Sequence, residues 1–186
     1  LVSEAGGSPW QLFREDAARW VKPQHVSPVE LATPRVVLSL LWQHRGLRAM
    51  AWVRLAAWLK QHRVRGAQRF ITNHLVSTFG LEIGPVDRIG GGCYIAHPVG
   101  CTLQFERLGR NATIIAAVTV GARSSGDWPR IGDTVFFGTG ARVIGKVQIG
   151  DNARLGANTV VLRDVPASMT AIGIPARIVP SSDRLP

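Results

Sequence analysis

"VFFGTGARVIGKVQIGDNARLGANTVVLRDVP", residues 135–166, carries a large apolar residue at every sixth position: Phe137, Val143, Ile149, Leu155 and Val161. Two positions before each stands a smaller one: Val135, Ala141, Val147, Ala153 and Thr159. Gly138, Gly150 and Gly156 directly follow a large residue. A large and a small residue two apart point to the same side of a short strand. A glycine just afterwards lets the chain bend through backbone angles that side chains resist.

Working outward, the same frame extends toward the N-terminus through Ile131, Val120, Ile114, Leu108, Ile95, Ile89 and Ile83. Cys93, Val99, Ala112 and Val118 extend the small row, and glycine follows at 84, 90, 109, 121 and 132. Cys101 takes the large place before Leu108, a step of seven rather than six. Hexads in phase over this length form an internal repeat, which is read ahead of local propensity. Strand and bend every six residues wrap the chain into a prism with three short faces per coil. Each coil hydrogen-bonds to the next at about 4.8 Å. The large aliphatic residues stack inside, where a single coil could not bury them alone. Between Val120 and Ile131 the step is eleven, so "ARSSGDWPR" must leave the prism as a loop. Such loops on a rigid scaffold often carry specificity.

Residues 10–78 read differently, as helices. Trp10, Phe13, Ala17 and Trp20 form an apolar stripe at spacings of three and four. Pro23, Pro28 and Pro34 break the pattern. The apolar run from Val36 to Leu59 is interrupted by His44, Arg45, Arg48 and Arg54, which argues for two packed helices separated near Gly46 rather than a membrane span. A further helix is expected over roughly 66–76. The fold class is therefore α+β: an N-terminal helical region, 1–79, followed by a β-helix of hexapeptide repeats with one protruding loop and a C-terminal extension, 80–186.

At 46% hydrophobic residues the 186-residue chain is not a disordered tail. Its formal charge is +10, with eleven Lys/Arg against four Asp/Glu in residues 1–80 and eleven against eight in the rest. That excess favours anionic partners. No nucleic-acid motif accompanies it. The basic helices read as an ordinary solvated face or as a surface for an anionic membrane. Cys93 and Cys101 give neither a disulfide framework nor a zinc pattern. No charged-then-apolar leader opens the chain, which begins at Leu1, and the expected location is cytoplasmic.

The sequence resembles the hexapeptide-repeat acyltransferases over roughly residues 80–179, and more weakly before that. "GLEIGPVDRIGGGCYIAHPVG" is similar to the opening coil of the serine O-acetyltransferases and the polysaccharide-biosynthesis O-acetyltransferases. "AIGIPARIV" matches their closing Gly-x-Pro-Ala-Arg. "FREDAARW" and "GLRAMAWVRLAAWL" look like the N-terminal helices of the polysaccharide-type members. The resemblance implies a left-handed parallel β-helix and a homotrimer with active sites in the clefts between subunits, either alone or paired as a dimer of trimers. It implies acetyl-CoA as donor, a hydroxyl or less often an amine as acceptor, and no metal. His97 falls on the family's catalytic histidine and Glu82 where a partner carboxylate is found.

Read from the residues, His97 follows the inward Ile95 by two, so its ring should project from a prism edge as a catalyst, a metal ligand or a turn residue. His25, His44, His62 and His74 all lie in the helical part, and one imidazole cannot make a three-histidine zinc shell. Acyl transfer from a thioester to an alcohol needs a base. A neutral imidazole, with a reference pKa near 6.5, suits that task. A carboxylate on the other ring nitrogen would fix the tautomer and steady the cation, and Glu82 is the candidate; its other reading is a solvated glutamate at the prism mouth. Backbone N–H groups near Gly121 are candidates for holding the oxyanion. Small residues at the bends, Gly138, Thr139, Gly140 and Ala157, leave room for the pantetheine arm. Arg177, and after it Arg163, would meet the phosphates. Inward-facing Cys93 and Cys101 should be poor nucleophiles.

The loop departs from the serine O-acetyltransferases. Where those carry Arg-His-Pro, this chain has Asp127, Trp128 and Pro129; the histidine after their Asp-Ile is Gly84, and the acid before their catalytic histidine is Ala96. A free amino acid would meet Asp127 instead of a cation. Trp128 offers an apolar face for a sugar ring, and Asp127 could accept from its hydroxyls, unless the indole merely packs the loop down. The sequence thus favours O-acetylation of a saccharide or another hydroxylated metabolite. A divergent serine O-acetyltransferase of cysteine biosynthesis and a non-catalytic trimeric scaffold remain as alternatives.

Overall fold

The computed structural model describes residues 7–22, 27–64 and 66–181; Pro23 and His25 lie outside them. Four helices precede the strands: α1 (Pro9–Val21), α2 (Pro34–Gln43), α3 (Arg45–Gln61) and α4 (Ala67–His74), the last continued by a wider turn over Leu75–Phe79. Ser8 and Thr33 cap α1 and α2 by accepting from Gln11 N and Val36 N, and a proline follows each cap. Proline suits this first helical position because its missing N–H would be unpaired there anyway.

From β1 (Leu81–Gly84) onward the chain coils into three parallel sheets, one per face of a prism. The register is continuous. Ile83, Leu103, Val120, Val143 and Val161 stack on the first face. Ile89, Leu108, Ile131, Ile149 and Val165 stack on the second. Ile95, Ile114, Phe137, Leu155 and Ala171 stack on the third. All fifteen are buried, which makes the hexad rhythm the core itself. The last two strands, Met169–Ile172 and Arg177–Pro180, pair antiparallel and end the parallel stack.

Two readings of the repeat need correction. Cys101 pairs with Leu81 in the small row, and Leu103 is the large residue of its coil. The irregular step is therefore eight residues, Ile95 to Leu103, followed by a short one of five, Leu103 to Leu108. Val99, expected inside, is 57% exposed on the resulting bulge. The glycines after the large residues also serve a different purpose. None of them has positive φ; that conformation falls three residues after the large one, at positions such as Asn111, Thr134, Gly140 and Asn158. At most of them the next coil is close, and a Cβ on Gly109 would lie 2.2 Å from the Gly132 carbonyl oxygen, whereas Gly84 and Gly121 have room.

The helices close the prism's first coil, whose lower backbone groups have no neighbouring coil to bond. Arg54 donates to the Ile89 and Gly90 carbonyls at 2.7 and 2.6 Å. Asp16 accepts from Cys93 N at 2.9 Å and from Arg54 at 2.8 and 3.0 Å. Arg19 donates to the Gly92 and Asn111 carbonyls at 3.1 and 3.0 Å. These buried charges answer backbone groups that would otherwise be orphaned. They also widen the buried face of α1 beyond the expected stripe: Leu12, Asp16 and Arg19 are inside, whereas Trp10 is exposed. The break between α2 and α3 falls at His44, and Gly46 sits within α3 for a packing reason: its Cβ would lie 2.0 Å from the Ile95 carbonyl oxygen.

Candidate active site

Strand β2 (Tyr94–His97) runs along the third face and ends at the edge where the chain turns onto the first. His97 is its last residue and is exposed. The eight-residue step falls at this corner, so the imidazole stands where the repeat is loosened. Pro98 and Val99 form the bulge, and Gly100, with φ +73°, returns the chain by donating to the Gly80 carbonyl at 2.9 Å. Gly46 holds α3 against the carbonyl of Ile95, two residues before His97. The ring is thus carried by a strand that pairs with the next coil on one side and packs against α3 on the other.

Glu82 points outward from β1 on the first face, beside β3 (Cys101–Gln104), with Thr102 as its cross-strand neighbour. Its Oε1 accepts a hydrogen bond from Gln104 Nε2 at 3.2 Å. Among the described residues no hydrogen bond joins Glu82 to His97. Gln104 escaped the sequence reading because the misplaced register put Cys101, not Leu103, on the inner row; correct pairing places Gln104 opposite Gly84.

Above His97 the same edge is built from small residues. Gly140 N donates to the Ala116 carbonyl and Asn158 N to the Thr139 carbonyl, both at 2.8 Å, so these corners stack coil on coil. Thr139 and Ala157 are exposed; Gly138 and Gly140 are buried, with Gly138 lying tight against Ala157 N. At about 4.8 Å per coil the edge rises roughly 19 Å from the His97 corner to Gly173. It ends beside a groove of about 690 Å³ lined by Leu162, Arg163 and the segment from Ile172 to Arg177. Arg163 and Arg177 both line it, with Arg163 donating to the Ala176 carbonyl at 3.4 Å.

Gly121, Asp127 and Trp128 are not brought to His97 within one chain. Gly121 ends its strand at the opposite margin of the first face, where its carbonyl accepts from Gly145 N at 2.9 Å. The loop leaves the prism from that margin, with Asp127 N donating to the Ser124 carbonyl at 3.1 Å, Asp127 half-buried and Trp128 exposed.

The thiols are poorly placed to act as nucleophiles. Burial, and after it the Asp16 carboxylate, push the Cys93 thiol up to about 12. Burial likewise raises Cys101. Three histidines of the helical part are engaged with aromatic rings: His44 with Trp20, His74 with Trp52, and His62 with Trp58, at centroid distances of 4.6, 4.5 and 4.2 Å. Among the described residues no group of three His, Cys, Asp or Glu side chains is placed to hold a metal ion.

Residues 129–163 match the family of bacterial transferase hexapeptide repeats. The serine acetyltransferase of Synechococcus elongatus is 36% identical over 146 residues, 76% of this chain and 60% of that protein. The serine acetyltransferase of Mycobacterium tuberculosis is 32% identical over 153 residues, 80% of this chain and 67% of that one. The chain thus spans less than two thirds of the cyanobacterial relative. Soybean serine acetyltransferase complexed with serine superposes with a TM-score of 0.75 at 30% identity, over 92% of this chain and 70% of the other.

Proposed function

Since this chain belongs to the left-handed hexapeptide-repeat transferases and is a relative of the serine acetyltransferases, we propose that it is an acetyl-CoA-dependent O-acetyltransferase with His97 as general base. The observation that carries the reading is the course of one prism edge. An exposed imidazole stands at its foot, small residues follow upward, and two arginines line a groove at its top.

The residues fit the donor. Arg163 and Arg177 offer guanidinium groups to phosphates, and Leu162, Ile172 and Ile174 give the groove an apolar wall. Exposed Thr139 and Ala157 leave the edge low enough for a thin chain to lie along it. Bound acetyl-CoA supplies the acetyl group as a thioester. His97 accepts the proton of the acceptor hydroxyl as its oxygen bonds to the acetyl carbon, and returns that proton to the departing sulfur. Glu82, held at one oxygen by Gln104, would orient the ring and steady its cationic form through the other. Burial of both cysteines supports direct transfer over a thiol-bound acetyl group.

Gly121 and the loop stand on the opposite margin of the face from His97, which supports a site completed between copies. In a homotrimer the loop margin of one protomer would meet the His97 edge of the next. Asp127, Trp128 and the oxyanion donors near Gly121 would then come from the neighbour.

The relatives' shared activity favours serine as acceptor over the saccharide suggested by loop composition. A saccharide hydroxyl stays as the second reading on one observation: Trp128 is exposed on the loop beside half-buried Asp127. Thiol release from acetyl-CoA, measured with serine, a panel of sugars and aminoglycoside-like amines, decides between them. His97→Ala should lower turnover with the accepted substrate by about 10²–10⁴ while folding and oligomer mass stay unchanged. Near-normal turnover would remove His97 from the mechanism. No release with any acceptor, together with no CoA binding, would establish a non-catalytic scaffold instead.

A further inference from the structure

Helix α2 has the sequence "PRVVLSLLWQ", yet only Val37 of it is buried. Arg35, Leu38 and Trp42 follow at steps of three and four. Residues so spaced share one helix face. That face is open: Leu38 is 71% and Trp42 85% exposed. The apolar surface continues beyond α2. Leu38 and Trp10 line one groove of about 550 Å³, together with Arg14 and Leu41. Trp10, 66% exposed, also lines the adjoining hollow with Leu55 and Trp58. An apolar strip therefore runs from Trp58 through Trp10 and Leu38 to Trp42. Contiguous exposed apolar surface of this kind marks an interaction site more often than scattered single residues do.

The charge around the strip narrows the partner. Of the four acids in residues 1–80, Asp16 is buried against Arg54 and Glu15 is paired with Arg110. Glu30 lies on the groove itself. Arg14 and Arg35 stand by the strip without ion-pair partners among the described residues. Two copies packed through this face would set Arg14 and Arg35 of each against Glu30 as the one described acid on the groove. An anionic lipid surface satisfies both features at once, taking the indoles at headgroup level and the guanidinium groups by attraction. Among the described residues no helix is long and apolar enough to cross a membrane, so the contact would lie in the surface plane. Sequence composition gives the basic excess alone; the exposed strip inside it is visible only in the fold.

We propose that the α1–α2–α3 face centred on Leu38 and Trp42 docks the protein on anionic lipid. The whole chain is floated with vesicles of phosphatidylcholine alone and of phosphatidylcholine mixed with phosphatidylserine, and its mass in solution is measured in parallel. Binding is expected to the mixed vesicles only, weakening as salt rises. Arg35→Gln should weaken it roughly fivefold, and Leu38→Ser with Trp42→Ser should remove it. Both residues are exposed, so thermal unfolding and particle mass should not change. Absence of binding to the mixed vesicles, or equal binding to both kinds, overturns the proposal. Loss of oligomer mass in the double variant also overturns it and assigns the face to a second copy of the chain.

Discussion

Gln104 Nε2 donates to Glu82 Oε1 at 3.2 Å, across a parallel pair of strands in which Gln104 lies opposite Gly84. A Cβ on Gly84 would lie 3.5 Å from Gln104 Oε1, in ordinary contact with the amide. On the proposed mechanism, the bond to Glu82 would make Gln104 a positioning residue for that carboxylate. Gln104→Leu should fold normally and lower kcat several-fold with little change in KM for acetyl-CoA. A raised KM for acetyl-CoA or a lowered unfolding midpoint in the variant would make the effect purely structural.

Coil spacing sets a second expectation. At Gly109 an added Cβ would lie 2.2 Å from the Gly132 carbonyl, whereas at Gly121 it would meet nothing within 4 Å. Neither glycine has positive φ, so the two differ in space alone. Gly109→Ala should destabilise by about 1–3 kcal/mol or more through forced separation of the coils. Gly121→Ala should leave the denaturation midpoint within experimental scatter. Equal effects would mean that the coils separate freely.

The contrast between those glycines marks how far the sequence could be read. The inner row was legible because burial repeats every six residues and a solenoid has few other ways to bury it. Phases were lost at the corner where His97 stands, since two extra residues there mimic a single long step when Cys101 is taken as the large residue. His97 was legible as an edge residue from its offset to Ile95. The distance of Gly121 and the Trp128 loop from that edge was not, because hexad counting gives position along a coil but does not say which edges a site must join. Asp16 and Arg54 gave no signal at all. Charged residues on an amphipathic helix read as solvated, and only the unbonded first coil explains their burial.

Arg54 and Asp16 should accordingly be the most sensitive pair in the helical region. Burial opposes the charge on Arg54, but the charge and hydrogen bonds of Asp16, with smaller help from Cys93 and Glu15, together hold the guanidinium above its ordinary range. Removing one partner leaves the other buried and unpaired, and also frees the Ile89 and Gly90 carbonyls. Arg54→Met should cost about 3–5 kcal/mol, read as a lower midpoint in urea. Arg54→Met combined with Asp16→Leu should recover part of that loss, since the stranded carboxylate is gone. A double variant as unstable as the sum of the singles would show that the backbone bonds, rather than the pair, dominate.

Cys93 links the same region to alkaline pH. In the unfolded chain its thiol titrates near 9.0, and in the folded protein it is pushed up to about 12, chiefly by burial and then by Asp16. Between those values the folded state keeps a proton that the unfolded state has released, so raising the pH favours unfolding. The contribution is fully present below about pH 9 and is lost as pH climbs toward 12, to a total of roughly 4 kcal/mol. Cys93→Ala should reduce the slope of stability against pH in that window, and leave the slope below it unchanged. At neutral pH a thiol reagent should modify Cys93 only after denaturant is added. Rapid labelling of the folded protein, or an unaltered alkaline slope in the variant, would show that the first coil opens more readily than its packing against α1 and α3 implies.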